Sequence, residues 1–177
     1  MAKITIFGLA GTGKGTVCRI LCERLGYRSF SGGDFARETA RKMGLTINEI
    51  DELSRYDKSV DIERDRVIED FGKTNDNFVV EARLGWKFIP DSYKVSFECD
   101  FEERTRRVAQ REKKDIMTVQ AETVQRENAI YDRFLKYYGI KNVNDPKNFD
   151  LIIDTTHITP EVIAEKIISG LKENNLL

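Results

Sequence analysis

Residues 4–16, reading ITIFGLAGTGKGT, constrain this chain more than any other stretch. Ile4, Thr5, Ile6 and Phe7 are β-branched or aromatic and predict a strand. Val17, Ile20, Leu21 and Leu25 fall at helical spacing and predict a helix over Lys14–Leu25 that stops at Gly26. Gly8, Gly11, Gly13 and Gly15 crowd the junction between the two. Glycine lets the backbone take positive φ and approach a ligand closely, so several N–H groups converge on one anion at the positive end of the helix. A cradle of that kind suits phosphate. Lys14 adds a mobile point charge and Thr16 a hydroxyl.

Beyond the loop, strands are predicted at Tyr27–Phe30, Phe78–Glu81, Tyr93–Cys99 and Asp150–Asp154, each separated from the next by helical sequence. Near-continuous apolar strands alternating with helices argue a parallel five-stranded sheet covered on both faces, a three-layer α/β fold. Ligands of such sheets bind beyond the carboxyl ends of the strands, and the segments after four strands here carry Lys14, Arg37, Arg83 and Thr156. Helices are expected from Ser31 to about Met43, at Ile47–Tyr56, Asp61–Phe71, Phe101–Arg111 and Thr118–Tyr138, with Thr159 and Pro160 opening a closing helix. The helices between residues 47 and 71 are so charged that they read as a water-facing cap. Asp57, Asp61 and Asp65, spaced by four, are accordingly read as solubilising acids and only secondarily as a face toward a ligand. The triplet Asp70-Phe71-Gly72 matches a protein-kinase signature by accident, with Gly72 placed to terminate a helix.

With 177 residues and 40% hydrophobic content, the chain suits one domain. Lys and Arg number 29 against 30 Asp and Glu, which disfavours a general nucleic-acid binder. Cys18, Cys22 and Cys99 lack metal-ligand spacing and point to a reducing cytoplasm; no stretch of about 20 apolar residues suggests a membrane span. The chain is expected to be a cytoplasmic monomer.

Gly8, Gly13 and Lys14 fit the front of the P-loop pattern, but Gly15 delays the hydroxyl by one residue to Thr16. The resulting GKGT resembles the nucleoside monophosphate kinases. With SGGDFAR (31–37), EARLGW (81–86), RENAIYDRFLKYYGI (126–140) and DTTHITPE (154–161), the likeness extends along nearly the whole chain and is strongest to the archaeal-type cytidylate kinases. That resemblance implies a P-loop kinase of 177 residues using ATP and Mg²⁺, with an acceptor-binding insertion at about 33–72 and a short lid at about 112–118. It implies that Gly8, Leu9, Ala10, Gly11, Thr12, Gly13, Lys14, Gly15, Thr16 and His157 meet ATP, with Thr16 on the magnesium side directly or through water. Asp34, Arg37, Arg83 and Arg126 would hold the acceptor monophosphate, and Lys14, Arg111, Arg126 and Arg133 would stabilise the transfer.

The residues support that assignment independently. Arg37 and Arg83 follow different strands and can each grip a phosphate in a bidentate fork, while Asp34 is an equal candidate to cap its helix. Arg126 and Arg133 are seven residues apart and so share a helix face. Arg107 and Arg111 share another just before the lid, whereas Arg104 and Arg106 read as solvated partners of nearby glutamates. Phosphoryl transfer needs alignment and charge neutralisation more than covalent help from protein. The implied activity is phosphorylation of CMP or dCMP. An adenylate or other small-molecule kinase is the rival within the class, and a non-catalytic nucleotide switch the rival outside it. Archaeal-type members usually carry glycine where this chain has Ala82, whose methyl is expected to crowd the acceptor or shift Arg83.

Overall fold

In the computed structural model, which describes residues 2–177, the strand that enters the glycine loop is the middle strand of the sheet. Among the described residues the order is β1 (Lys3–Gly8), α1 (Lys14–Leu25), β2 (Arg28–Ser31), α2 (Gly32–Lys42), α3 (Ile47–Leu53), α4 (Ser59–Thr74), β3 (Phe78–Glu81), α5 (Gly85–Phe88), β4 (Tyr93–Glu98), α6 (Phe101–Glu112), α7 (Ile116–Tyr138), β5 (Leu151–Asp154) and α8 (Pro160–Glu173), with a 3₁₀ turn at Pro146–Asn148. The sheet runs β2-β3-β1-β4-β5, and all four pairings are parallel. Ile6 stands beside Glu81 of β3 and Val95 of β4, so the loop after β1 emerges between the loops after its two neighbours.

Alternation along β1 decides what covers each face. Ile4 and Ile6 join Val17, Leu21, Val95, Ile163 and Ile167 under α1 and α8. Phe7 points the other way, to Leu84, Ile130 and Phe134 under α7. Ile68, Phe78, Val80 and Ile89 form a third cluster beneath α4 and α5. Each aliphatic side chain fully buried here contributes roughly 1.5–3 kcal/mol. Cys18 is part of the first cluster, and burial, the largest influence on its thiol, pushes the pKa up and leaves it inert.

The helix ends follow their local chemistry. Gly26 closes α1 in the left-handed region, and Thr159 accepts the Val162 N–H ahead of Pro160. Thr46 and Glu49 form a reciprocal capping box that starts α3. Gly72 does not end its helix: α4 continues to Thr74, and Gly72 is where the helix packs against Ile89. The polar break expected after Arg111 ends at Asp115, which caps α7 by accepting the Thr118 N–H at 2.9 Å. Only Lys113, Lys114 and Asp115 separate α6 from α7, with Lys113 at φ 54.

A methyl on Gly72 would stand 2.7 Å from Ile89 Cγ1 and 3.0 Å from Cδ1. Gly72→Ala is therefore expected to lower unfolding free energy by about 1–2 kcal/mol, overpacking outweighing the helical gain of alanine. Urea denaturation checks this, and a stabilised variant would show that Ile89 yields freely.

Candidate functional site

The loop after β1 is shaped by backbone that only glycine tolerates. Gly11 has φ 84 and Gly13 φ 89, and a Cβ on Gly11 would lie 2.2 Å from the Arg104 carbonyl oxygen of α6. Thr12 is buried and donates its hydroxyl to the Leu9 carbonyl at 2.9 Å, while its own carbonyl accepts from Thr155 at 3.1 Å. Leu9 and Thr12 thus brace the loop from behind and are not among the residues that line the cavity in front of it. Lys14 folds back to donate to the Leu9 carbonyl at 2.9 Å. Burial pushes its ammonium pKa down to about 8, and Glu81 works against that shift. Thr16 is exposed in the first turn of α1.

Glu81, unassigned from sequence, ends β3 with its carboxylate facing Gly15: a Cβ there would be 3.6 Å from Oε1. Among the described residues no group of three or more His, Cys, Asp or Glu side chains is placed to hold a metal. One hydroxyl and one carboxylate beside a phosphate cradle nevertheless suit magnesium, which takes one or two carboxylates plus phosphates and waters in such sites.

From this loop a cavity of about 540 Å³ reaches the helices between β2 and β3. Its walls bring together Lys14, Arg37, Arg83, Arg111 and Arg126, as expected, along with Arg107. Arg37 is exposed and held 2.6 Å from Asp34, which lines the cavity too; Ser31 caps α2 by accepting the Asp34 N–H at 3.1 Å. Arg83 makes no hydrogen bond or ion pair among the described residues. Burial and the neighbouring arginines press its pKa down and Asp51 lifts it, but a guanidinium keeps its proton, so a free cation faces the cavity. Arg107 donates to the carbonyls of Thr155 and Thr156 at 2.9 and 3.0 Å, tying α6 to the loop after β5. His157 is exposed in that loop and is not part of the cavity wall. Ala82 lines the cavity as well, and its methyl sits 3.1 Å from where a Cβ on Gly32 would be.

Arg133 lies elsewhere than expected. It is 1% exposed and stands behind the cavity wall, donating to the Asp51 carbonyl at 2.8 Å and Asp51 Oδ1 at 3.3 Å, with Nε 3.2 Å from Asp61 Oδ2. Arg126 does reach the cavity, but its Nε donates to Asp51 Oδ2 at 2.9 Å. The shared helix face therefore serves a shared carboxylate. Arg64 also lines the cavity, with Nη2 2.9 Å from Asp61 Oδ1 and 3.5 Å from Asp65 Oδ1. Asp61 and Asp65 are thus not solubilising acids: they are 0% and 6% exposed and counter buried arginines, while Asp57 is exposed as expected. Arg104 pairs with Glu127 at 2.5 Å, but in the interior and not in solvent; Arg106 pairs with Glu103 at the surface.

The cytidylate kinase-like family model matches residues 3–157. The chain belongs to the cytidylate kinase-like family. A Methanothermobacter thermautotrophicus protein named cytidylate kinase is 37% identical over 158 residues, covering 89% of this chain and 98% of that one. A Lacinutrix mariniflava protein named S-adenosylmethionine-dependent nucleotide dehydratase is 35% identical over 174 residues; the match takes in 98% of this chain, which spans only 36% of that relative. In fold, this member of the cytidylate kinase-like family is similar to a shikimate kinase from Bacteroides thetaiotaomicron, with a TM-score of 0.65 at 13% identity over 97% and 98% of the two chains. A three-layer α/β fold with a parallel five-stranded sheet follows from that likeness and the strand order.

Arg126→Ala and Arg133→Ala should separate. Removing Arg133 takes one of two arginine partners from each of Asp51 and Asp61 in the interior and is expected to cost about 3–5 kcal/mol of stability. Removing Arg126 should leave the melting temperature nearly unchanged and lower kcat. Equal melting temperatures for the two variants would refute the structural role of Arg133.

The depressed Lys14 pKa gives a pH signature. The ammonium is mostly charged at pH 7 and mostly neutral at pH 9 when no phosphate is bound, so ATP affinity should fall by about tenfold across that interval. Titration calorimetry reads it, and Lys14→Met should bind weakly with no inflection. A flat wild-type profile would show that the amine stays charged.

Proposed function

We propose that the chain transfers the γ-phosphate of ATP to CMP or dCMP, giving the nucleoside diphosphate. The observation that carries this is one continuous cavity walled both by the glycine loop with Lys14 and by arginines from separate segments, Arg37, Arg83 and Arg126. A nucleotide switch has little use for a second set of cations; a phosphotransferase needs it to hold an acceptor phosphate opposite the donor. The match along 98% of an archaeal relative named cytidylate kinase supports cytosine as the acceptor base.

On this reading Gly11, Gly13 and the first turn of α1 cradle the β- and γ-phosphates, and Lys14 leaves the Leu9 carbonyl to reach them. Arg83, already free of protein partners, fixes the acceptor phosphate together with Arg37. Arg107 and Arg111 come from the far wall and neutralise charge on the transferring group. Thr16 and Glu81 are the residues placed to hold magnesium, which when bound neutralises the terminal phosphates. The whole chain is taken as one kinase unit, with α2–α4 as the acceptor side and the corner between α6 and α7 as the lid. Water exclusion falls to Arg107, Arg111 and Arg126 as that corner closes.

Relative kcat/KM for CMP, dCMP, UMP and AMP at saturating Mg-ATP is the test. CMP and dCMP should lead, with UMP clearly lower and AMP lowest. AMP above CMP would replace the proposal with an adenylate kinase, and ATP binding with all four acceptors inert would replace it with a binding module. Lys14→Ala should lose more than about tenfold in kcat, at least ~1.4 kcal/mol of transition-state stabilisation, with an unchanged circular dichroism spectrum.

A further inference from the structure

The cavity wall contributed by α3 and α4 holds a pairing that phosphate binding does not account for. Asp51 lines the wall with its side chain 8% exposed. Burial alone would raise its carboxyl pKa, but Arg83, Arg126 and Arg133 hold it below the ordinary carboxylate value, so it stays anionic. A fixed anion repels phosphate. Whatever part of a ligand comes to Asp51 must bring a hydrogen-bond donor.

Each Asp51 oxygen accepts one side-chain bond, from Arg126 on Oδ2 and Arg133 on Oδ1, and a carboxylate has about four acceptor positions. Capacity remains for one more donor. Arg64 offers the complement. Its Nη2 is turned to Asp61 and Asp65, which fix the guanidinium, while Nε and Nη1 make no hydrogen bond among the described residues. Asp65 is in turn held by the Tyr138 hydroxyl. Ile47 and Ala36 line the same cavity and give a flat ring apolar neighbours.

Arg83 sets the direction. It follows β3, whose neighbour β1 leads into the Lys14 loop, and it lines the cavity with both Lys14 and the Asp51–Arg64 pair. A monophosphate gripped by Arg83 and pointed at Lys14 leaves its base toward Asp51 and Arg64.

Resting on the kinase reading above, we propose that Asp51 and Arg64 read the acceptor base, Asp51 accepting from the exocyclic amine of cytosine and Arg64 donating to its ring acceptors. Uracil presents a carbonyl where the amine should be and sets acceptor against carboxylate, leaving a buried anion unpaired. Asp51 thus has two duties: it positions Arg126 and Arg133, and it selects the base.

A purely structural Asp51 would affect all acceptors alike, so the ratio of kcat/KM values is the readout. In the wild-type protein, a CMP analogue carrying hydrogen in place of the 4-amino group should lose at least tenfold in kcat/KM. In Asp51→Asn the same deletion should cost less than about threefold, and the CMP to UMP ratio should fall at least tenfold, because an amide can also donate. Arg64→Lys, which keeps the charge between Asp61 and Asp65, should raise KM for CMP at least tenfold. Analogue turnover within twofold of CMP in the wild-type protein overturns the inference without any variant having to fold. A CMP to UMP ratio unchanged in Asp51→Asn overturns it too, leaving Asp51 a positioning residue only. If the wild-type protein prefers AMP, the cytidylate reading fails and this inference with it; a wild-type CMP preference with an equally good analogue sinks this inference alone.

Discussion

Crowding cations around one cavity is the constraint from which much of this structure follows. Lys14, Arg37, Arg64, Arg83, Arg107, Arg111 and Arg126 line it, against Asp34, Asp51 and Glu81. Phosphate groups would reward such a field, but an empty fold must tolerate it first. The protein does so by placing carboxylates behind the arginines: Asp51 and Asp61 between Arg126, Arg133 and Arg64, and Glu127 behind Arg104. Arginine suits the task because its fork binds a carboxylate on one edge and leaves another edge for a ligand. The compensation is partial by design of the cavity, since Arg83 has no counter-ion of its own in contact.

The elements that carry this field were readable from the chain to different degrees. The sequence of β1, the glycine loop and α1 is read correctly to the residue at both ends of α1, because glycine and apolar spacing act locally. The parallel five-stranded sheet is equally legible, its strands being apolar runs between helices. What spacing does not show is who answers a charge. Asp51 meets arginines 75 and 82 residues away, and Asp61 and Asp65 look identical in sequence to the exposed Asp57. Charge density in residues 47–71 predicts a solvated cap; the partners that bury it lie on α7. Arg133 was displaced from the phosphate site for the same reason, whereas the free state of Arg83 needed only its position after an apolar strand.

The contact between α3 and α7 is accordingly polar where most helix contacts in a small protein are apolar. Besides the arginines on Asp51, Arg55 pairs with Asp132, and Tyr137 donates to the Arg55 carbonyl at 2.9 Å. Arg133 and Asp51 are buried within that contact, so their pairing there is costly to break. The three apolar clusters, by contrast, fix the sheet and the loop that β1 presents. The glycine loop and the α3–α7 side of the cavity are thus held by different kinds of contact.

The corner at Lys113–Asp115 joins two helices with almost no slack. Arg104, Arg107 and Arg111 ride on one arm, Arg126 and Arg133 on the other, and Arg104 is tied across to Glu127. The pair therefore acts as one lever, and its fulcrum is at the phosphate loop, where the Arg104 carbonyl presses on the space that Gly11 leaves open. A displacement of α7 would therefore be passed through Glu127 and Arg104 to the backbone at Gly11, so Arg126 and the glycine loop share one mechanical connection.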